Sequence, residues 1–567
     1  MRAIFLAALS VLCVWACSKN TDVTPPRLSV NLTRQQQPLA ELPNASDRVC
    51  AECHASQVNK FKTHGMADAL AGINAQRMPA QLSDEFVENE YSGMRYNIGA
   101  TGDWQLNAQH IASGSDLSVP INLRIGAGVA DMSFVLNNNG RWFFSPIEFV
   151  TQHGWRPAPH EWQSTAGLDA VPITAQCLMC HSSSQLPDVH PLNNLQDFQP
   201  APIGCATCHG DGAAHVELMR HDVFASDLAI LNPVDFAVEQ QLDLCARCHL
   251  EGDAHVNLEN GSIQQVAPAV DLLSKHAVLV ANSTESNQLR FVSQVQRLSA
   301  SECFKQSPQM TCTSCHDPHQ PARYQGRGNF DAKCLACHSG MRDTHQLDSD
   351  ETSCVGCHMP RIKPFDLQNV TIADHFIQAK PVPQNDVAFK LVESETGDWQ
   401  TFSYRGANNY SSQLSTAIQA MALFEQGHTQ RAADIFATHP APGQPQTIAL
   451  AQFHFLRARS LYQAQQRQDS KLAYRDALLY NPQHTASMLN LATLLAEDGQ
   501  VDEAQNYAER VSAKYPNSEA PFNVLIIVAN HRKDMQAMRV AVEKSLECNP
   551  QQPAIQKVSS QLNERNL

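Results

Sequence analysis

The hydrophobic and polar positions change their pattern three times along the chain. After Met1-Arg2 an apolar run extends from Ala3 to Ala16. One positive charge, a short apolar stretch and a small residue before the cut describe a secretory signal at 1–16, too short for a confident membrane span. Residues 17–45 carry Pro25-Pro26, Gln35-Gln36-Gln37 and scattered polar residues without a period, the pattern of a flexible tether. Further on, Met132–Leu136 and Arg141–Phe144 are β-prone runs separated by Asn137-Asn138-Asn139-Gly140. Asn-Gly suits a tight turn with positive φ, so this stretch predicts a β-hairpin. Ile125-Gly126-Ala127-Gly128 just before it reads as a loop, because no strand-to-helix G-x-G-x-x-G unit follows.

From about residue 408 helix formers dominate, and Pro482, Pro516 and Pro550 recur every 34 residues. Leu491, Ala492, Leu495, Gly499, Ala504 and Ala508 occupy the packing positions before Pro516. Ala458, Leu461, Tyr474 and Ala477 do so before Pro482, and Phe522, Leu525, Ala529 and Val542 before Pro550. A looser copy spans 413–440, with Met421, Phe424 and Ala433. This is the tetratricopeptide period, and it predicts an α-solenoid over 408–567. Such a solenoid presents a concave face suited to a peptide or protein segment. Pro381-Val382-Pro383 and the polar residues after it predict an interdomain linker at 381–407.

Between tether and linker, the pattern Cys-x-x-Cys-His occurs seven times. The copies are Cys50/Cys53/His54, Cys177/Cys180/His181, Cys205/Cys208/His209, Cys245/Cys248/His249, Cys312/Cys315/His316, Cys334/Cys337/His338 and Cys354/Cys357/His358. Two thiols three residues apart can both form thioethers to one haem edge, and the next His can then reach the iron. Zinc sites and a disulfide framework both leave the constant His unexplained. The expectation is seven covalently attached haem c groups in a domain at 46–380. With so little protein per cofactor, the predicted fold there is short helices and loops around porphyrin, with a small β-containing insert. The fold class expected for the whole is mainly α, with low regular structure in the haem region.

The net charge of -15 argues against a nucleic-acid partner and permits a basic redox partner. No segment after residue 16 is long and apolar enough to span a membrane. Val14-Trp15-Ala16-Cys17 resembles a bacterial lipobox, which implies export to the periplasmic side and a lipid on Cys17 as the only membrane contact. Cys13 would leave with the signal, and Cys303 and Cys548 belong to no motif.

Several stretches resemble a known family. Cys50/Cys53/His54 followed by Phe61-Lys62-Thr63-His64 resembles the first motif of multihaem cytochromes related to hydroxylamine oxidoreductase and the tetrahaem carrier of ammonia oxidisers. The run from Cys205 to His215 resembles their CHGPG-x-x-H segment, with Asp211 where Pro is usual. Cys312 to His319, Cys357-His358-Met359-Pro360-Arg361 and Asp374-His375 are similar to further family segments. The order of features resembles bacterial multihaem cytochromes fused to tetratricopeptide repeats.

Each motif His offers one axial ligand. Twelve other histidines precede residue 376: His64, His110, His153, His160, His190, His215, His221, His255, His276, His319, His345 and His375. That is enough for every iron to be bis-His, or for one to stay open. The resemblance implies His64, His215, His319, His345 and His375 as distal ligands. His319 follows His316 by three residues and lies on the same side of that haem, so as a ligand it must serve a neighbour. In similar proteins another His often precedes the Asp-His pair, where Asn369 stands here. Two functions follow as expectations. One is electron transfer through seven haems, with redox partner proteins and a docking repeat domain. The alternative is a multihaem oxidoreductase acting on a small nitrogen or sulfur compound at one open iron.

Overall fold

The structure, a computed structural model, describes residues 45–73, 86–89, 92–101, 103–114, 116–138, 141–151, 153–158, 171–173, 175–184, 199–222, 228–258, 268, 271–281, 289–341, 353–364, 366–367, 370–380, 399–405, 410–439, 441, 450–549 and 552–564. The expected signal at 1–16, Cys17 and nearly all of the tether lie outside the described residues, as do His160, His190, His345, Asn369 and Pro550.

The first region opens with helix α1 (Ala45–Phe61), which carries the first motif. A sheet of nine antiparallel strands follows: β1 (Leu70–Gly72), β2 (Val87–Asn89), β3 (Met94–Thr101), β4 (Asp103–His110), β5 (Asp116–Ile125), β6 (Asp131–Asn138), β7 (Arg141–Phe144), β8 (Ile147–Val150) and β9 (Gly154–Pro157). The main path runs β2-β3-β4-β5-β6-β8-β9, with β1 on β5 and β7 on β6. The expected hairpin is present as β6 and β7, with Val135 opposite Phe144 and Asn138 opposite Arg141. Its turn residues Asn139 and Gly140 lie outside the described residues. The expectation of a small insert is corrected, because the hairpin is one part of a large sheet. Period-two alternation builds the rest: Met94, Tyr96 and Ile98 on β3, and Trp104, Leu106 and Ala108 on β4, are buried together with Val119 and Ile121. The loop between β5 and β6 turns on Gly126 at φ +94, where a Cβ would lie 2.9 Å from the Asp131 carbonyl oxygen.

Six further motif-bearing segments follow. Five are helical: α2 (Ala175–His181), α3 (Cys205–His209), α5 (Val238–His249), α7 (Arg327–Cys337) and α8 (Cys354–His358). Between them come α4 (Ala213–His221) and α6 (Gln294–Ala300). The remaining motif begins in a 3-10 turn, Cys312–Ser314. The expected short helices and loops are therefore what surrounds the motifs.

A second sheet joins the two halves of the chain. Its strands are β10 (Ala254–Asn257), β11 (His276–Ala281) and β14 (Trp399–Thr401); β12 (Arg361–Ile362) and β13 (Ile372–Ala373) form a separate pair. The expected linker at 381–407 is thus corrected at its end: residues 399–405 are folded, while 381–398 lie outside the described residues. Leu279 pairs with Thr401, and the Phe402 amide donates to the Val278 carbonyl at 2.7 Å. Tyr404 donates to the buried Asp243 carboxylate at 2.5 Å. Arg405 donates to the Phe304 carbonyl at 3.0 Å, with its guanidinium 4.0 Å from the Phe304 ring centre.

The last region is a stack of antiparallel helix pairs: α9 (Ser412–Glu425) with α10 (Thr429–Thr438), α11 (Leu450–Gln463) with α12 (Arg467–Tyr480), α13 (Thr485–Glu497) with α14 (Val501–Lys514), and α15 (Glu519–Arg532) with α16 (Met535–Cys548), closed by α17 (Pro553–Glu564). Ala492, Ala504 and Ala508 have no exposed surface, because small side chains let the paired helices approach. Gly499 at φ +78 ends α13 in the left-handed region that glycine tolerates. The solenoid's core does not stop at its first helix. Ala254, Val256, Leu258, Ala277, Leu279 and Trp399 belong to the same buried cluster as Leu414, Ile418, Met421 and Phe453. Among the described residues no helix is long and apolar enough to cross a membrane.

Candidate cofactor-binding sites

A single helical turn is what a Cys-x-x-Cys-His segment needs to bring both thiols to one side and release its His beyond the turn. His54 leaves helical geometry at φ -110 and ψ 38, and His338 caps α7 at φ -102 and ψ 49. None of the motif side chains in α3 or α8 is fully buried. Cys53, Cys337 and Cys357 are exposed, and the other motif thiols are half-covered.

Three of the motif histidines meet remote histidines in pairs. His54 faces His215 with ring centres 6.3 Å apart and planes 24° from parallel. His209 faces His319 at 6.2 Å and 13°. His316 faces His375 at 6.1 Å and 26°. An imidazole nitrogen sits about 2 Å from a first-row metal, and the ring centre lies about 1.1 Å behind it, so two imidazoles on one axis have centres about 6.2 Å apart. The pair of half-buried His255 and buried His276 provides a contrast. Its ring centres are 5.1 Å apart and its Nδ1 and Nε2 atoms share a hydrogen bond at 2.9 Å, which leaves no room for a metal between them.

The outer ring nitrogens are held as metal-ligating histidines require. A ligand that donates Nδ1–H to an oxygen presents the Nε2 lone pair forward. His209 Nδ1 lies 2.8 Å from the Leu231 carbonyl, and His215 Nδ1 2.7 Å from the Leu228 carbonyl. His181 Nδ1 meets the Ala69 carbonyl at 3.2 Å, His249 the Gln294 amide oxygen at 3.2 Å, and His375 the Ala373 carbonyl at 3.1 Å. His358 Nδ1 bonds the Gln378 carbonyl, and His319 Nδ1 stands 3.5 Å from the Asp317 carboxylate. His64 differs. Its Nδ1 accepts the Met66 amide at 3.1 Å, so in its neutral form the proton sits on Nε2.

Burial keeps several of these imidazoles neutral. It pushes His375 down to about 4, aided by the nearby His316 charge. It pushes His64 down to about 4, aided by Arg323, His249 and His316. Burial also lowers His181, His249 and His316. A neutral imidazole is the form that binds a metal.

The thiols of different motifs come together as well. Cys50 and Cys205 lie within hydrogen-bonding reach, as do Cys180 and Cys248, and Cys245 and Cys312. Cys208 lies close to Cys248 and Arg247. Cys315 lies near Cys303 and Cys337, and Cys334 near Cys354. Cys177 packs against the cluster of Leu70, Trp142 and Leu178 beneath the large sheet. The α5 motif thus borders the second, third and fifth motifs.

Of the five expected distal histidines, His215, His319 and His375 each face a motif ring, His64 lies within electrostatic reach of His249, and His345 is outside the described residues. His319 faces His209 and not the adjacent His316. The carbonyls of Ala69, Leu228, Leu231 and Gln378 went unrecognised in the sequence, because a main-chain oxygen has no residue signature. Among the described residues no group of three or more His, Cys, Asp or Glu side chains converges as a bare-ion site.

A tetratricopeptide repeat family model matches residues 486–518, the α13–α14 pair. No curated protein matches the chain. Among solved structures, residues 41 to the end of MamA from Desulfovibrio magneticus RS-1 are 14% identical, with 26% of this chain and 81% of that one covered and a TM-score of 0.23. YrrB, described as a repeat protein with an unusual peptide-binding site, is 12% identical over 26% of this chain and 75% of its own, with a TM-score of 0.24. The Cut9–Hcn1 hetero-tetramer of the APC/C is 14% identical over 27% of this chain and 30% of that one, also at 0.24.

Proposed function

With a C-terminal tetratricopeptide repeat established as the premise, we propose that the region before it is a multihaem c-type cytochrome, related to the hydroxylamine oxidoreductase group, that transfers electrons through seven covalently attached haems. The observation that carries this reading is the set of three imidazole pairs at 6.1–6.3 Å, each joining a motif His to a remote His. Each motif's two cysteines would hold one haem by thioethers, and its His would supply one axial ligand. His215, His319 and His375 would supply the opposite ligand at the first, third and fifth motifs. The expected ligand His64 is not presented at the fourth motif, because its Nδ1 lone pair takes the Met66 amide and its proton then sits on Nε2. A haem held by two imidazoles supplies a one-electron centre with no position open to substrate.

The chain's own groups do the positioning. The Leu228, Leu231, Ala373 and Gln378 carbonyls fix ring tautomers and turn the lone pairs inward. The repeats present a surface of the kind that generally docks protein segments, which suits a redox partner. Export to the periplasmic side with a lipid on Cys17 completes the proposal.

Intact mass and spin state test it. Protein matured in a host with haem-attachment machinery is expected to exceed the processed chain by seven haems. His319→Ala is expected to keep all seven while one iron changes from low to high spin. A mass with clearly fewer haems defeats the cofactor assignment, and an unchanged spectrum removes His319 from the ligand set. A high-spin iron in the wild type would favour the oxidoreductase alternative.

A further inference from the structure

We propose that Arg297 is a positioning residue that holds the imidazole of His375 on the axis of His316; this rests on the haem reading above. Arg297 and Asp374 are both buried, at 8% and 1% exposure. Their contact is two-pronged: Nε donates to Asp374 Oδ1 at 2.8 Å and Nη2 to Oδ2 at 2.6 Å. Two parallel bonds fix the direction of a carboxylate as well as its distance. The same Oδ1 accepts the Phe376 amide at 2.9 Å, so the carboxylate bridges the main chain on both sides of His375. The Asp374 amide donates to the Pro360 carbonyl at 2.9 Å, and the guanidinium lies 5.1 Å from the Phe376 ring centre. His375 therefore projects from a three-residue turn clamped at its first and third members.

The clamp is rooted in α6, which serves two sites. Gln294, one turn before Arg297, offers its side-chain oxygen to His249 Nδ1 at 3.2 Å. Residues three apart lie on one helix face. That face supports the motif ligand of the fourth site and, through Asp374, the remote ligand of the fifth. The clamped segment reaches a third site. The Gln378 amide donates to the His358 carbonyl at 3.0 Å, and its own carbonyl takes His358 Nδ1. Arg297 spends its hydrogen bonds on Asp374 and lies against the Phe376 ring. It acts through Asp374 and the 374–378 segment.

The test uses full-length mature protein and begins with the wild type. Wild-type protein without covalent haem overturns the haem reading and this inference with it. Given seven haems and low-spin signals, Arg297→Met is expected to retain all seven by mass and pyridine haemochrome, while about one of the seven irons turns high spin. Added imidazole is expected to return that signal to low spin. Arg297→Met with Asp374→Leu separates positioning from stability, since an apolar pair can replace a buried ion pair without loss of stability. Recovery of Tm with a persisting high-spin signal supports positioning. Recovery of both overturns it, as does an Arg297→Met spectrum identical to wild type. Should Arg297→Met fail to mature, Arg297→Lys keeps the charge, gives up the two-pronged contact, and is read by the same criteria.

Discussion

The repeats and three short helices of the motif region bury their side chains in opposite ways. Helix α13 encloses Leu491, Ala492, Leu494 and Leu495 within its own stack. Helices α3, α4 and α8 have no fully buried residue. Near the third motif, Leu228 and Val234 stand 48% and 69% exposed. A solenoid closes its core with side chains from the next repeat. Those short helices lack that closure from protein atoms among the described residues, and a flat apolar group per motif would provide it, whereas α5 buries Leu242 and Ala246 in a cluster with Val295, Phe304 and Phe402. The sheet of β1–β9 is the exception before residue 160, with its own core around Tyr96, Ile98, Leu106 and Phe134.

The largest effect should come from withholding haem attachment. Protein made without it is expected to stay protease-resistant over the repeats and to be cleaved across 200–380. Equal resistance of both regions would erase the contrast. Next, Leu495→Ala opens a cavity inside the solenoid, at a cost of about 2–5 kcal/mol. A lowered Tm with unchanged haem content is expected; loss of haem would show that the two cores depend on each other more than their composition implies.

A smaller effect falls on the seam. Tyr404→Phe deprives Asp243 of a donor at 2.5 Å and is expected to cost about 1–3 kcal/mol, with calorimetry resolving separate transitions for the two regions. A single unshifted transition would assign the seam to the apolar contacts alone. The smallest is a pH slope. Burial holds His255 at about 4 and His276 at about 3, below their ordinary value of 6.5. The unfolded chain takes up protons first as pH falls, so this stability is present above 6.5 and is lost from there down towards about 4. Each such group contributes up to about 1.4 kcal/mol per pH unit within that window. His276→Asn should flatten the dependence of Tm on pH between 4 and 6; an unaltered slope would place the acid sensitivity elsewhere.

The motifs were legible because five contiguous residues carry the whole signal, and the repeats because a 34-residue period survives sequence drift. The large sheet was visible only at its hairpin. Met94, Tyr96 and Ile98 alternate properly, but Arg95, Asn97 and Gly99 between them are weak strand formers. Strand β14 pairs with β11 across more than a hundred residues, and three residues are too few to show a period. Spacing was enough to exclude His319 from the His316 site. It did not bring His54 to His215, which only the fold does. Arg297 was invisible because its partner lies 77 positions away.

The short strand β14 also determines where this chain can be cut and rejoined. Trp399 lies in one apolar cluster with β10, β11 and α9, so a boundary placed at 381 would divide that cluster. A chimera that borrows another repeat array should keep the native chain through Thr438 and change identity only beyond it. Spliced there, the foreign array inherits a fixed bearing relative to the motif region, and interchangeable recognition modules become a practical construction.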